Sequence, residues 1–453
     1  MEVREQFKSR LGFILISAGC AIGIGNVWRF PYVVGNYGGG IFVFFYLIFL
    51  ITMGVPILSM EFAVGRASKK STILSYKVLE KPGQKWHIHG YVAWAGNFLL
   101  MMFYTTVAGW MLAYLVKFAK GDFAGLDQAA IEGAFDGLLA RPAELGIWMV
   151  IVVVTGFIVC SVGLQKGVER LTKGMMIGLL GLILVLAVNS LLLPGGMEGV
   201  RFYLLPDFGK MKEIGVANVI VAAMNQAFFT LSVGQGSMEI FGSYMDRKHS
   251  LMGESLQIAM LDTFVAVVAG LIIFPACFSF GVNPGSGPKL IFITLPNVFR
   301  EMAGGRIWGT LFFLFMTFAA FSTILAVFEN LMACCMEQLG WNRKRTALVN
   351  GILMILASLP CVLGFSLLSG FQPLGAGSTV LDLEDYIVSN LLLPGGSLVY
   401  LLFCVSRYGW GFKSYQQEAN FGAGVKVANW MRGYFTYVLP VLVAFILIWG
   451  LIK

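Results

Sequence analysis

Apolar residues run along this chain in blocks of bilayer length, separated by short polar stretches. A helix needs about 20 apolar residues to cross a membrane. Eleven such segments are predicted, at about 11–36, 40–67, 90–119, 145–163, 168–194, 215–243, 251–281, 305–338, 345–366, 380–405 and 431–452. Two of them are interrupted. The first, LGFILISAGCAIGIGNVWRFPYVVGN, carries Gly19, Gly23 and Gly25 beside Asn26, then Arg29 and Pro31. The sixth contains QAFFTLSVGQGSME at 226–239, with Gly234 and Gly236 among small polar residues. Glycine is a poor helix former, and proline removes a backbone donor. Bare backbone inside lipid is tolerated only where it lines protein or water. Both segments therefore predict an unwound stretch whose carbonyls and amides can hold something polar. Glycines that only let helices approach closely are the alternative.

The interrupted segments stand five apart. That spacing predicts two halves of opposite orientation, residues 1–195 (helices 1–5) and 215–406 (helices 6–10), with 430–453 as an additional helix 11. A site between such halves lies near the membrane midplane. The fold class expected is an all-α polytopic membrane protein with 11 transmembrane helices, a 5+5 inverted repeat with unwound helices 1 and 6.

Composition agrees with that class. Of 453 residues, 58% are hydrophobic and 12% charged, against about 25% charged in soluble proteins. No cleavable signal peptide is visible in the polar first ten residues. The net charge of +8 follows from topology and needs no nucleic acid. With the N-terminus inside, the inner segments hold 21 of the 32 Lys and Arg and the outer loops 10, a bias that orients the chain N-terminus in and C-terminus out. The seven cysteines lie in or beside apolar segments without CxxC spacing, and read as small buried hydrophobes. The three histidines are predicted to lie in loops, and no Ser/His/Asp set, HExxH or P-loop is present, so an enzyme is not expected. Asp262 stands out in AMLDTFVAVVAG, because an intramembrane carboxylate is costly unless paired or functional.

Several motifs carry a family resemblance: AGCAIGIGNVWRFPY at 18–32, NYGGG at 36–40, MEFAVGR at 60–66, FYTTVAGW at 103–110, QKGVER at 165–170, QAFFTLSVGQG at 226–236 and FAAFSTILAV at 318–327. The chain resembles bacterial members of the neurotransmitter:sodium symporter family, of leucine-transporter fold, from residue 4 to about residue 406. The resemblance implies two sodium ions. The first would be held by the Ala21 carbonyl, the Asn26 side chain, Thr230 and Asp262, completed by the substrate carboxylate. The second would be held by the carbonyls of Gly19, Ile22 and Ala319 and the hydroxyls of Ser322 and Thr323. Animal members carry Asn where Asp262 sits and need chloride. Some bacterial members carry Glu one turn later, where this chain has Ala266. Asp262 is therefore expected to supply the fixed negative charge itself, making chloride unnecessary and leaving Tyr46, Gln226 and Ser232 structural.

Amine-transporting relatives carry Asp where this chain has Gly23, so the resemblance favours an α-amino acid. Its carboxylate would meet the first sodium, backbone amides near Gly25 and the Tyr104 hydroxyl. Its ammonium would meet carbonyls around Ala21 and Phe229 and the Ser232 hydroxyl. Ile22, Gly23 and Thr230 border the same site. Leu100, Tyr104, Phe229, Gln235, Ile324 and Val327 would line a mostly apolar side-chain pocket, suited to hydrophobic or aromatic amino acids. Leu100 and Tyr104, one turn apart, share a helix face. Gln235 replaces a phenylalanine of the leucine-selective relative. Two readings stay open for it: a bond to a polar substrate end, or a side chain swung out beside unwound backbone. Arg29 and Asp385 would form an outer gate above a lid of Tyr104 and Phe229. Arg4 and Glu337 would form an inner gate supported by Ser243 and Tyr244, and Glu61 would bond exposed amides of the unwound helices. The implied activity is sodium-coupled amino-acid symport by alternating access in the bacterial cytoplasmic (inner) membrane, with a small-molecule substrate and the lipid bilayer as partners. A channel or receptor that binds without accumulating is the rival class.

Overall fold

The computed structural model describes residues 7–281 and 290–452. Among these residues the structure is helical, apart from an isolated bridge between His249 and Ala423. In chain order the membrane-related helices are α1 (Arg10–Ala21), α2 (Gly25–Asn36), α3 (Gly40–Ser68), α4 (His87–Lys120), α5 (Pro142–Val162), α6 (Leu164–Leu191), α7 (Val216–Thr230), α8 (Ser237–Tyr244), α9 (Leu251–Ser279), α10 (Gly305–Leu339), α11 (Arg343–Leu363), α12 (Val380–Val405) and α13 (Met431–Ile452). The apolar blocks set their lengths, and local chemistry sets several ends. The Ser9 side chain caps α1 by accepting from the Gly12 amide, Asn342 caps α11 in the same way, and Thr379 and Asp382 close a reciprocal capping box at α12.

Both interruptions appear. α1 and α2 meet at a 53° bend. The segment expected at 215–243 divides into α7, of 15 residues, and α8, of 8. At 1.5 Å per residue α7 spans only about 22 Å, short of the roughly 30 Å hydrocarbon core. Among the described residues nine helices are long and apolar enough to cross, or ten with α1 and α2 taken as one. Eleven is reached only by also counting α7 and α8 as a single broken span.

Burial separates a core from a periphery. The apolar windows of α4 and α10 are 72% buried and these helices run along each other, whereas that of α13 is 28% buried and rests on α12. α1 lies inside the bundle, against α10, α9, α6 and α8. α3 and α8 touch backbone to backbone: a Cβ at Gly65 would run into the Glu239 carbonyl, and one at Gly242 would meet the Phe62 carbonyl. At the end of α3, buried Arg66 donates to Glu418 at 2.7 Å and to the His249 carbonyl at 2.8 Å, tying together the loops at the end where α1 begins.

Candidate functional site

The break between α1 and α2 begins where Ile22 leaves helical geometry, with ψ 88°. Ala21, the last residue of α1, has a carbonyl the helix cannot satisfy. Asn26 and Asp262 face each other here, both fully buried. Asn26 Nδ2 donates to Asp262 Oδ1 at 2.7 Å, and the Thr230 hydroxyl donates to Asp262 Oδ2 at 2.8 Å. The remaining oxygen, Asn26 Oδ1, has no hydrogen-bond partner. A buried acceptor without a donor is costly, and a cation would satisfy it. Tyr46 reaches Thr230 Oγ1 at 3.5 Å. The buried Gln226 amide, expected to be structural, makes no side-chain hydrogen bond.

A second oxygen cluster joins α1 to α10. Ser322 Oγ lies 3.4 Å from the Ile22 carbonyl and 2.9 Å from that of Ala319. Thr323 Oγ1 lies 3.2 Å from the Gly19 carbonyl, 3.2 Å from that of Cys20 and 3.5 Å from that of Ala319. The five expected groups are therefore adjacent, and the Cys20 carbonyl joins them. Oxygen-only sites of this kind suit hard cations.

Beside both clusters lies a small cavity of about 30 Å³. It is lined by Ala21, Gly23, Gly25, Leu100, Tyr104, Phe229, Ser232 and Gln235, as the resemblance implies, and also by Cys20, Thr323 and Leu393. Ile22, Thr230, Ile324 and Val327 do not line it. Ile324 and Val327 are buried in α10, and the Ile324 Cγ2 methyl sits near Gly156 of α5. The Tyr104 hydroxyl accepts from the Ile24 amide at 3.0 Å. A Cβ at Gly23 would strike the Tyr104 hydroxyl and come within 2.6 Å of Thr323 Oγ1, so no side chain fits there without movement. Ser232 adopts φ 51°, a left-handed conformation unusual for serine, and its hydroxyl points to the Cys20 carbonyl at 3.4 Å.

The cavity is roofed on one side. The Phe229 ring covers Gly25, and the Arg29 guanidinium lies 4.0 Å above that ring. Arg29 also donates to Ser389 Oγ at 2.7 Å and reaches Asp385 at 3.5 Å, while Ser389 donates to Asp385 at 2.8 Å. Ser389 had no sequence signal beyond lying one turn after Asp385. The Arg29 and Asp385 side chains are 28% and 40% exposed, so their attraction is worth only about 0–1 kcal/mol.

At the opposite end the expected inner gate is described only in part. Arg4 lies outside the described residues. Glu337 accepts from the amide and hydroxyl of Ser71, at 2.8 and 2.7 Å. Tyr244 donates to Glu329 at 3.1 Å, and Arg343 grips the same fully buried carboxylate at 2.7 and 2.9 Å. Ser243 donates to the Ile240 carbonyl of its own helix. The carboxylate in FEN at 328–330 is as conspicuous in an apolar run as Asp262, and the cost of intramembrane charge could have flagged it. Glu61, fully buried, accepts from the Gly234 amide in the break between α7 and α8.

These features have counterparts in known proteins. The chain matches the profile of the sodium:neurotransmitter symporter family over residues 4–124 and 136–453. It is 37% identical to the uncharacterized sodium-dependent transporter YhdH of Bacillus subtilis, over 88% of this chain and 87% of that protein. It is 26% identical to the sodium-dependent serotonin transporter of Drosophila melanogaster, over 99% of this chain and 76% of the other. The crystal structure of MhsT in complex with L-phenylalanine superposes with a TM-score of 0.88 at 34% identity, over 98% of this chain and 99% of MhsT. The chain belongs to the sodium:neurotransmitter symporter family, whose members are sodium-coupled membrane transporters and not enzymes.

Proposed function

We propose that this chain carries a hydrophobic or aromatic L-amino acid into the cell with two sodium ions, by alternating access and without chloride. The observation that carries the reading is the unpartnered Asn26 Oδ1 beside Asp262 and the open carbonyl end of α1. A buried carboxylate needs a compensating charge, and losing one partner of a buried pair costs about 3–5 kcal/mol. The first sodium supplies that charge, on Ala21, Asn26, Thr230 and Asp262, with the substrate carboxylate as a further ligand. The second bridges Gly19, Ile22 and Ala319 of the two helices to Ser322 and Thr323. An amino-acid substrate is supported by the phenylalanine bound in MhsT and by the lack of room for a side chain at Gly23.

In the cycle, the Tyr104 hydroxyl, which accepts from the Ile24 amide, donates its own proton to the substrate carboxylate, and the ammonium takes the carbonyls near Ala21 and Phe229 with Ser232. Phe229 and the Arg29–Asp385 pair then close the outer side, weakly enough to reopen. Inner release follows when the second sodium leaves and α1 swings away from α10, past Tyr244 and the Glu337 end. Two five-helix halves, 1–195 and 215–406, with 430–453 appended, give the two access states. The Lys and Arg bias supports a bacterial cytoplasmic membrane location, N-terminus inside and C-terminus outside.

The test is uptake of radiolabelled amino acids by liposomes holding the purified protein, with an imposed sodium gradient and with potassium in its place. Sodium-driven accumulation above equilibrium is expected. Binding without accumulation would overturn the symport reading in favour of a channel or receptor.

A further inference from the structure

Gln235 is the one polar side chain of the cavity to which the cycle above gives no task. It is 2% exposed, it lines the cavity, and its Nε2 has no hydrogen-bond partner. Its backbone, by contrast, is firmly held. Asn97 Nδ2 donates to the Gln235 carbonyl at 2.6 Å and to the Ala93 carbonyl at 3.0 Å, and Asn97 Oδ1 accepts from Ser237 at 2.6 Å. Asn97 thereby commits its amide to fixing the chain at this point. The flanking glycines, Gly234 and Gly236, hold φ of 98° and 75°, conformations that L side chains rarely adopt. The backbone that carries the amide is thus fixed, and the side chain is buried with a donor unused. The side chain lines the cavity, which favours a bond to a polar substrate end over the other reading open from the sequence.

We infer that Gln235 reads the far end of the substrate side chain, and that the preferred substrate is an amino acid ending in a phenolic hydroxyl. The inference rests on the amino-acid reading of the cavity. The Tyr104 hydroxyl and the Ile24 amide mark the main-chain end of the site. Asn97, which holds Gln235, precedes Tyr104 on α4 by seven residues, or about 10 Å along the helix axis. Leu100 lies between them, and Phe229 and Leu393 complete an apolar wall. A main-chain end, an apolar wall and a buried amide donor at the Asn97 end suit a ring bearing its hydroxyl opposite the stem. A phenol both donates and accepts, so it satisfies the amide whichever way its oxygen and nitrogen are turned. A phenyl ring of the same shape enters but leaves the buried donor unpaired. Sites built around a substrate hydroxyl discriminate far more strongly against the analogue lacking it than apolar pockets do against a missing methylene.

The experiment measures binding of tritiated tyrosine, phenylalanine and leucine to the purified full-length protein, in sodium and in potassium, for the wild type and for Gln235→Met. The wild type is expected to bind tyrosine about tenfold or more tighter than phenylalanine. In Q235M the preference should disappear, with tyrosine weakened and phenylalanine kept, and the retained phenylalanine binding reports that the variant is folded. The wild-type ratio tests the inference even if the variant does not fold. Tyrosine no tighter than phenylalanine in the wild type, or an unchanged preference in a folded Q235M, would overturn the inference alone. Absence of sodium-dependent binding for all three would overturn the amino-acid reading, and this inference with it.

Discussion

Asp262 commits its two oxygens to different helices, Oδ1 to Asn26 at the first break and Oδ2 to Thr230 at the end of α7. It is therefore both a charge and a strut. If the charge is what the ion site needs, uptake should run equally well in chloride and in gluconate. Asp262→Asn keeps the shape and removes the charge. Its uptake should fall at least about tenfold in gluconate, a loss of roughly 1.4 kcal/mol or more, and recover in chloride. The unbonded Gln226 amide makes the comparison sharp, since it is a donor that an anion could use. A strict chloride requirement in the wild type would sink the argument. Asn26, Thr230, Ser322 and Thr323 were expected from the family motifs that hold them, and Asp262 also from the cost of a carboxylate in an apolar helix. Asn97, Ser389 and the pairing of Glu329 with Arg343 were not. Each acts through a partner 14 to 360 positions away in the chain, and no local pattern encodes such a pairing.

At the scale of elements, the apolar blocks foretold every long helix, because length and hydrophobicity alone decide whether a segment can lie in lipid. They foretold the two breaks as well, from glycine content. What they left undetermined is how firmly each broken half is held. α8 meets α3 through Gly65 and Gly242, backbone against backbone, with Glu61 bonded to the adjoining break. α1 meets its neighbours through side chains: Gly12 faces the Glu169 carboxylate, and Gly19 faces Thr172, Met176 and Ser322. Side chains can change rotamer; a carbonyl in a helix cannot step aside. Gly65→Leu should therefore destabilise the protein by about 1–3 kcal/mol. The measurement is the thermal midpoint of the detergent-purified variant, and an unchanged midpoint would mean that α3 and α8 separate more easily than their geometry suggests.

For the molecule as a whole, the proposed cargo sets a charge balance. Two sodium ions and a zwitterionic amino acid would carry two net positive charges inward. Each gains about 2.3 kcal/mol per 100 mV of inside-negative potential. A potassium diffusion potential set with valinomycin should raise steady-state accumulation steeply, and reversing its sign should suppress it. Uptake indifferent to potential would contradict the two-ion proposal. The low burial of α13 and the deep burial of α4 and α10 fit a body in which the central helices frame the path and the last one rests against lipid.

The unequal grip on the two broken segments has a signature in time. If α8 is anchored to α3 while α1 works loose on each turnover, their amide protons meet deuterium on different clocks. Those of Arg10–Ala21 should exchange while the carrier cycles, and slow when sodium is added without a gradient. Those of Ser237–Tyr244 should remain protected in every condition that leaves the protein folded. Hydrogen–deuterium exchange with mass spectrometry would read both peptides in one sample. Equal exchange in the two would mean that both inner half-helices move together.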